Sequence, residues 1–535
     1  MELQERDRFV QNSYILMIGY LMSSAISSIG TIIMIRLISV EEYSFITIAY
    51  IIPAILIVIS ELGLNFASTH FIARKIKEES YKDVRNIIKI NLIIKIIISI
   101  FFTLIVIIFS NYIAKKIYNI QDDRMVLLIQ LASIGIIANI LYDTINSFFL
   151  GALNTKMVQI GTILQTSLRT ILTISLILVG FTLFGPMIGF VLPPLIVVII
   201  YLFLLKKFFF KENTNNEAID WKKLSEMVKY GYPLFLYSII ISIHVQCFVL
   251  ILTIYGFLTE VSYFNVAIVS ASVMGILTKS IKYTLFPIFS KKDWDKIDER
   301  EKLIKTFQFS LKFCSLLILP VTILLILFSG NTFPLIFGEK YREASPFISI
   351  YLFIFLLCSF GYLSIPAFFN GQKKTKYVFL IELLEFLASL IFALILINFY
   401  GGIGVIFGIV IGTVISVFFG NILILKEYGK VLYSNLHNII IIFVVSIFCG
   451  FLTYIIYNIL GIFIYEDFIL FKLLKLALAF SFYMIIFLLL IGFFSQITLD
   501  ELTFFENTFE KFPVVNKIIF IISNFEKRII RIRKK

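Results

Sequence analysis

Cationic side chains that lie deep inside long apolar runs are the residues of this sequence best suited to binding a charged partner. Lys279 and Lys282 are three residues apart, so they share one face of a helix. Two like charges on an apolar face repel each other, and a water-filled cavity that holds an anion tolerates them better. Arg169 lies near the middle of another run, and Arg36 lies at the end of the first. These four residues predict an anion-binding cavity, although Lys282 and Arg36 could instead reach the membrane interface and Arg169 could be structural.

Acidic residues and one histidine form a second group inside the apolar runs: Glu61, Asp143, His244, Glu382 and Glu385. Glu382 and Glu385 repeat the three-residue spacing of the lysines, so they could balance those cations. A buried carboxyl group also holds a proton more readily than one in water. We expect this group either to couple movement to H⁺ or Na⁺ or to neutralise neighbouring charges.

Three other lysines, Lys89, Lys95 and Lys312, lie early in their apolar runs. A lysine can bury its hydrocarbon chain and still place its ammonium group among lipid headgroups. We expect all three to reach the headgroups in this way.

Patterns typical of enzymes are absent from the sequence. It contains no G-x-x-x-x-G-K-[ST] phosphate loop and no H-E-x-x-H zinc motif, and it has only three histidines. Its four cysteines fall within apolar runs, at spacings that fit neither a metal site nor a disulfide framework. The longest outward connections between runs, near 110–124 and 330–343, are too short for a catalytic domain, and the inward connections are little longer. We expect no catalysis, no bound metal and no cofactor other than a coupling H⁺ or Na⁺.

The elements that must position these residues are membrane-spanning helices. Hydrophobic residues make up 59% of the 535 residues, charged residues make up 15%, and the mean hydropathy is +0.97. Continuous apolar runs of about 20 residues match a helix that crosses the hydrocarbon core, whereas barrel strands would alternate. We predict an all-α polytopic membrane protein with about fourteen transmembrane helices, at roughly 13–36, 43–73, 86–113, 125–150, 157–182, 184–206, 224–253, 259–289, 302–329, 344–369, 375–399, 402–426, 436–462 and 468–494.

An internal repeat organises these spans. The segment 42–49 returns as 260–267, at an offset of 218. The pattern Gly151, Thr155, Lys156 returns 220 residues later, and Gly185 and Gly189 return 219 residues later. Two parallel repeats facing each other are typical of transporters that bind substrate between them. We predict an N-terminal six-helix lobe, a cytoplasmic linker, a C-terminal six-helix lobe, two extra helices and a basic cytoplasmic tail, at 1–206, 207–223, 224–430, 431–494 and 495–535.

Charge distribution predicts the orientation of the chain. If the N-terminus is inside, most loop Lys and Arg residues fall in inward loops, as the positive-inside rule requires. We therefore expect both termini in the cytoplasm and a location in the plasma membrane. The net charge of +13 is explained by these loops and by a tail that lies on anionic lipid, and it requires no nucleic acid.

Short motifs along the first four-fifths of the chain resemble the polysaccharide (O-antigen type) flippases. The first-loop motif IRLISVEEY lies at 35–43. Further motifs that resemble the same family, in the same order, are ELGL at 61–64, FIAR at 71–74, YGYPL at 230–234, FPIFS at 286–290 and FGEKY at 337–341.

The resemblance implies a fold, an activity and a cargo. The fold would be two six-helix lobes in a V shape with two C-terminal helices. The activity would be movement of an undecaprenyl- or dolichyl-(pyro)phosphate-linked oligosaccharide to the outer leaflet. Cations of helices 1, 2 and 8 line the cavity in relatives, which points to Arg36 and to Lys279 or Lys282. Helix 2 offers Glu61 instead of an arginine here.

Two other functions stay open at this point. A cation-coupled multidrug exporter has the same fold but needs a mainly acidic and aromatic cavity. A membrane glycosyltransferase or polymerase needs a larger ordered loop than this sequence contains. We expect the partners to be lipid-linked oligosaccharide and membrane lipids, with a glycan polymerase or transferase left open, and we expect a monomer.

Overall fold

The computed structural model describes residues 2–210, 220–290, 297–429, 436–463, 468–494 and 523. Most of the predicted basic tail lies outside these residues. Within them the chain is almost wholly helical and no strand occurs. The protein is therefore the all-α polytopic protein that its apolar runs predict.

Seventeen α-helices follow one another along the described chain. They are α1 Glu2–Leu37, α2 Val40–Ile59, α3 Leu64–Lys77, α4 Tyr81–Tyr112, α5 Asp123–Gly151, α6 Thr155–Leu178, α7 Phe184–Phe209, α8 Lys222–Ile254, α9 Leu258–Ser290, α10 Ile297–Leu327, α11 Ser329–Phe337, α12 Ser345–Leu356, α13 Ser364–Gly371, α14 Thr375–Tyr400, α15 Gly402–Tyr428, α16 Leu436–Phe463 and α17 Ile469–Phe493. Short π or 3₁₀ segments follow α4, precede α12 and follow α12.

The number of spans is lower than predicted within the described ranges. Twelve helices there are long and apolar enough to cross a membrane, or up to 13 if the bent pair 222–236 and 238–254 counts as one span. The predicted count of about fourteen is not confirmed. The chain is nevertheless a multi-pass membrane protein.

Two predicted spans are broken helices. The run 43–73 divides into α2 and α3, and the run 344–369 divides into α12, a 3₁₀ turn at Leu357–Phe360 and α13. Gly63 has a φ of 71° in the first break and Gly361 has a φ of 99° in the second, and glycine adopts this left-handed conformation without steric cost. Gly63 also has no room for a side chain, since a Cβ there would lie 2.2 Å from Gly231 O.

The chain divides into two compact units with separate cores. The first unit, Met1–Val269 with Ala393–Val405, has a core around Ile72, Phe148 and Tyr201. The second, Ser270–Phe392 with Ile406–Lys535, has a core that includes Phe328 between α10 and α11 and Tyr483 of α17. The predicted division into six-helix lobes stays a prediction.

Residues related by the repeat occupy equivalent places in the helices. Gly151 ends α5 and Thr155 begins α6, just as Gly371 ends α13 and Thr375 begins α14. The turns between them share an unusual backbone, because Leu153 has a φ of 55° and its equivalent Lys373 has a φ of 59°. Left-handed residues other than glycine are uncommon. Their recurrence at the same offset supports the internal repeat.

Candidate functional site

The first candidate site lies at the break between α2 and α3, where a charged side chain from α4 occupies the break. The chain leaves helical geometry at Leu62 and Gly63, and such a break releases carbonyl groups from the helical hydrogen-bond ladder. Lys95 Nζ donates to Ser60 O at 2.7 Å and to Glu61 O at 3.0 Å. The Lys95 side chain is 0% exposed. The expectation that Lys95 reaches the headgroups is therefore wrong, because carbonyls inside the protein bind its ammonium group.

Two of the predicted acidic residues lie near enough to this ammonium group to interact with its charge. Glu61 in the break and Asp143 of α5 both interact electrostatically with Lys95 and with each other. Asn65 Nδ2 lies 3.5 Å from Glu61 Oε1. Lys95 is buried, whereas Glu61 is half-buried and Asp143 is exposed. The cluster thus combines one buried cation with two carboxylates that are at least partly accessible. These carboxylates could bind a proton or a small hard cation.

Arg169 forms a separate cationic site near the middle of α6. Its guanidinium group lies 5.6 Å from the centre of the Phe190 ring of α7, within cation–π range. Arg169 also interacts electrostatically with Tyr50 of α2. The Tyr50 hydroxyl donates to Pro186 O at 2.9 Å, and its ring lies 4.6 Å from that of Phe190. Because these contacts hold Arg169 while leaving it exposed, its donors can bind a phosphate or carboxylate.

The second unit contains a different acidic cluster, formed by α14 and α15. Thr413 Oγ1 donates to Glu385 Oε1 at 2.8 Å, and Ser416 Oγ donates to Glu385 Oε2 at 3.1 Å. Glu382 and Glu385 both interact electrostatically with Tyr362, which lies in the break between α12 and α13. Here hydroxyl groups hold the carboxylate, in contrast to the lysine of the first unit. Oxygen atoms of this kind suit a hard cation or a proton.

A family match adds to this geometry. Residues 33–346 match the model of a family described as polysaccharide biosynthesis protein, and this stretch is more than half of the chain. The chain belongs to this family. No curated protein sequence matches it.

Solved structures of membrane transporters share the fold of this polysaccharide biosynthesis family member. Lipid II flippase MurJ in an inward closed conformation is similar with a TM-score of 0.70 at 16% identity, covering 88% of this chain and 98% of that one. An inward-facing MATE multidrug resistance transporter of the MOP superfamily gives 0.60 at 15%, covering 78% and 96%. A MOP superfamily transporter from Pyrococcus furiosus, described as having a binding pocket of reverse polarity, gives 0.54 at 17%, covering 80% and 96%. At these identities the likeness shows the fold alone.

The remaining predicted site residues lie apart from the two acidic clusters, or their side chains lie outside the described residues. Arg36 is exposed in the last turn of α1. His244 of α8 is half-buried, with its ring 5.0 Å from that of Phe248. Lys279 and Lys282 belong to α9, but their side chains lie outside the described residues. Of the predicted residues, the structure therefore brings together Glu61 with Asp143 and Glu382 with Glu385.

Sequence reasoning missed several residues of these sites. The sequence pattern predicts that Lys95 reaches the headgroups, and it does not single out Tyr50, Thr413 or Ser416. One signal was present: Asn91 and Lys95 are two polar residues four apart in a run that is otherwise strongly apolar, so they share one helix face. Such a polar pair indicates a partner inside the bundle. In the structure, Asn91 Nδ2 donates to Ser68 Oγ at 2.7 Å.

Proposed function

We propose that the protein is a flippase that moves a lipid-linked oligosaccharide from the inner to the outer leaflet by alternating access. The carrier would be an undecaprenyl- or dolichyl-(pyro)phosphate, and the product would supply surface polysaccharide or glycoprotein synthesis. Arg169 is the observation that carries the proposal. It is a guanidinium group in the middle of a membrane-spanning helix, held against an aromatic ring and yet exposed.

The physical need for such a cation is clear. A phosphate and a sugar chain that crossed the hydrocarbon core without a protein would lose their hydration, at a large free-energy cost. A water-filled path with fixed positive charge lowers that cost, while the lipid tail stays in the membrane. Arg36, Lys279 and Lys282 are proposed to supply further positive charge along the path. Membership of a polysaccharide biosynthesis family and a fold shared with a lipid II flippase both support this cargo.

The acidic residues are proposed to couple transport to H⁺ or Na⁺. Exposed or half-buried carboxylates are provided by Glu61 in the α2–α3 break, by Asp143 of α5, and by Glu382 and Glu385 of α14. His244 is a further proton acceptor within the same proposal. The protein would act as a monomer in the plasma membrane with both termini in the cytoplasm, next to the polymerase or transferase that uses its product.

A second candidate function is a cation-coupled multidrug exporter. The exposed carboxylate of Asp143 favours it, because an acidic surface attracts cationic compounds. The two candidates differ in the sign of the cargo, and Arg169 distinguishes them. A lipid-linked phosphate needs this cation, whereas a cationic drug is repelled by it.

The test is flipping of a fluorescent polyprenyl-diphosphate-linked sugar in liposomes that contain the purified full-length protein. Arg169→Ala is expected to slow flipping at least tenfold, because a hydrogen bond to a charged group contributes about 1.5–3 kcal/mol and about 1.4 kcal/mol is a tenfold change. Arg169→Lys should retain part of the activity, since it keeps the charge and loses the planar donor geometry.

The control is an arginine in the short 3₁₀ segment before α12. Arg342 pairs with Glu339 at 2.7 Å and is exposed, so Arg342→Ala should flip the probe at the wild-type rate. If Arg169→Ala also flips at the wild-type rate, the anionic cargo is wrong. Export of ethidium by the same liposomes, stimulated by an imposed H⁺ or Na⁺ gradient, would favour the exporter.

A further inference from the structure

Two serines from different repeats are hydrogen-bonded to each other. Ser44 Oγ lies 2.7 Å from Ser262 Oγ, and the two residues are 1% and 0% exposed. Ser262 Oγ also donates to Val40 O at 2.6 Å. A hydroxyl group has only one proton to donate. Ser44 Oγ lies farther from Val40 O, at 3.2 Å. When Ser262 donates to Val40, only the proton of Ser44 is left for the shorter contact between the two serines.

These serines are equivalent positions of the repeat. They are separated by 218 residues, the offset that relates segments 42–49 and 260–267. Each is the fifth residue of its helix, because α2 begins at Val40 and α9 begins at Leu258. In a two-fold arrangement, a residue contacts its own equivalent only next to the symmetry axis. The axis that relates α2 to α9 therefore passes between Ser44 and Ser262.

We propose that the Ser44–Ser262 hydrogen bond is a latch that closes one mouth of the transport path and opens once in each cycle. The inference rests on the proposed function, because alternating access requires repeat-related helices to separate at one end while they stay together at the other. Contacts on the axis at the separating end must break. In the predicted topology this end of α2 faces the outside.

The chemistry of the contact suits repeated opening. The two side chains are small and neutral, and each hydroxyl can exchange its protein partner for water with little net change in free energy. A salt bridge at the same place would bind the mouth more tightly and would leave charges to be hydrated on opening. The near-zero exposure of Ser44 and Ser262 shows that water does not reach the closed latch.

A reversible cross-link tests the latch. Ser44→Cys with Ser262→Cys, in full-length protein whose four natural cysteines are replaced by alanine, should form a disulfide on oxidation. Flipping of the fluorescent polyprenyl-diphosphate-linked sugar should fall at least tenfold and recover on reduction. The matched control is Ser329→Cys with Ser349→Cys, a serine pair 2.6 Å apart on neighbouring helices α11 and α12. Its cross-link should leave flipping unchanged. Failure to cross-link Ser44→Cys with Ser262→Cys, or undiminished flipping by the cross-linked protein, would overturn the latch.

A second measurement does not depend on the cargo. A membrane-impermeant maleimide is added to phosphatidylethanolamine–phosphatidylglycerol liposomes that contain the Ser44→Cys variant alone. The residue should be labelled at least tenfold faster than Ser133→Cys, which replaces a serine that is 0% exposed within α5. Equal, slow labelling of both overturns the latch. Fast labelling of Ser44→Cys, together with no flipping of any polyprenyl-linked sugar, supports the latch and overturns the proposed cargo.

Discussion

The two broken helices differ in what satisfies their free backbone groups. In the first unit, the α2–α3 break is filled by the charged Lys95, which donates to two carbonyls. In the second unit, a neutral amide donates to a carbonyl of the α12–α13 break: Asn421 Nδ2 donates to Phe360 O at 2.9 Å. Non-helical backbone at membrane depth is tolerated where it lines a cavity or is buried in protein. Two breaks with different chemistry indicate two sites with different tasks.

The breaks do not lie in equivalent helices of the repeat. The repeat equivalent of α2–α3 is α9, which is continuous, and the equivalent of α12–α13 is α5, which is also continuous. The turns and helix ends are meanwhile alike in the two repeats, as Leu153 and Lys373 show. The duplicated turns therefore belong to the framework, whereas the polar clusters at Lys95 and Glu385 lie in parts that differ between the repeats. A functional assignment therefore has to rest on the parts that differ between the repeats.

Removal of the charged group from the first break should have the largest effect. Lys95→Met leaves Ser60 O without its donor and leaves Glu61 and Asp143 without their nearby cation. Lys95 makes two hydrogen bonds from a charged group, and each contributes about 1.5–3 kcal/mol. We expect a large fall in the midpoint of thermal unfolding in detergent, followed by size-exclusion chromatography. The control is Lys89→Met on the same helix. Lys89 is half-buried with its ammonium group 5.8 Å from the Phe210 ring, so its loss should cost under about 1 kcal/mol.

Removal of the neutral group from the second break should have a smaller effect. Asn421→Ala removes one amide donor from Phe360 O, and a neutral hydrogen bond contributes about 1 kcal/mol. The same unfolding assay should show a shift several times smaller than that of Lys95→Met. Equal shifts for the two variants would contradict the distinction between a charged and a neutral break.

The smallest effects are expected in the duplicated framework. Glu42 completes a capping box, in which Ser39 N donates to Glu42 Oε2 at 2.8 Å, and it accepts a hydrogen bond from Thr182 just before α7. Its equivalent Glu260 lies against the start of α15, where a Cβ on Gly402 would come within 1.9 Å of Glu260 Oε2. Carboxylates near helix N-termini contribute about 0.3–1 kcal/mol. Glu42→Gln and Glu260→Gln should therefore each shift unfolding slightly, and by similar amounts. A large shift for one of them alone would show that the framework has diverged too.

Local sequence patterns predicted the framework better than they predicted the sites. Long apolar runs fix most of the helices, and the turn between Gly151 and Thr155 recurs because the same few residues set it. The break at 60–63 was missed because only Gly63 signals a left-handed turn, whereas Leu62 adopts one at φ 45° against its preference. The site at Lys95 was missed for another reason. Depth along a helix does not show which neighbours a side chain meets, and these neighbours come from the α2–α3 break and from α5.

The burial of Lys95 has a consequence for the synthesis of the protein. A lysine near the centre of a lone helix opposes insertion into the bilayer by about 2.5–3.5 kcal/mol. The acceptors of Lys95 lie 34 and 35 residues earlier in the chain, so they are already in the membrane when α4 emerges from the ribosome. The donor to Phe360 O, Asn421, lies 61 residues later in the chain and is synthesised after it. The hydrogen bonds of the first break can therefore form while the chain is still being synthesised. When α4 enters the bilayer, the carbonyl groups that bind the Lys95 ammonium group are already beside it.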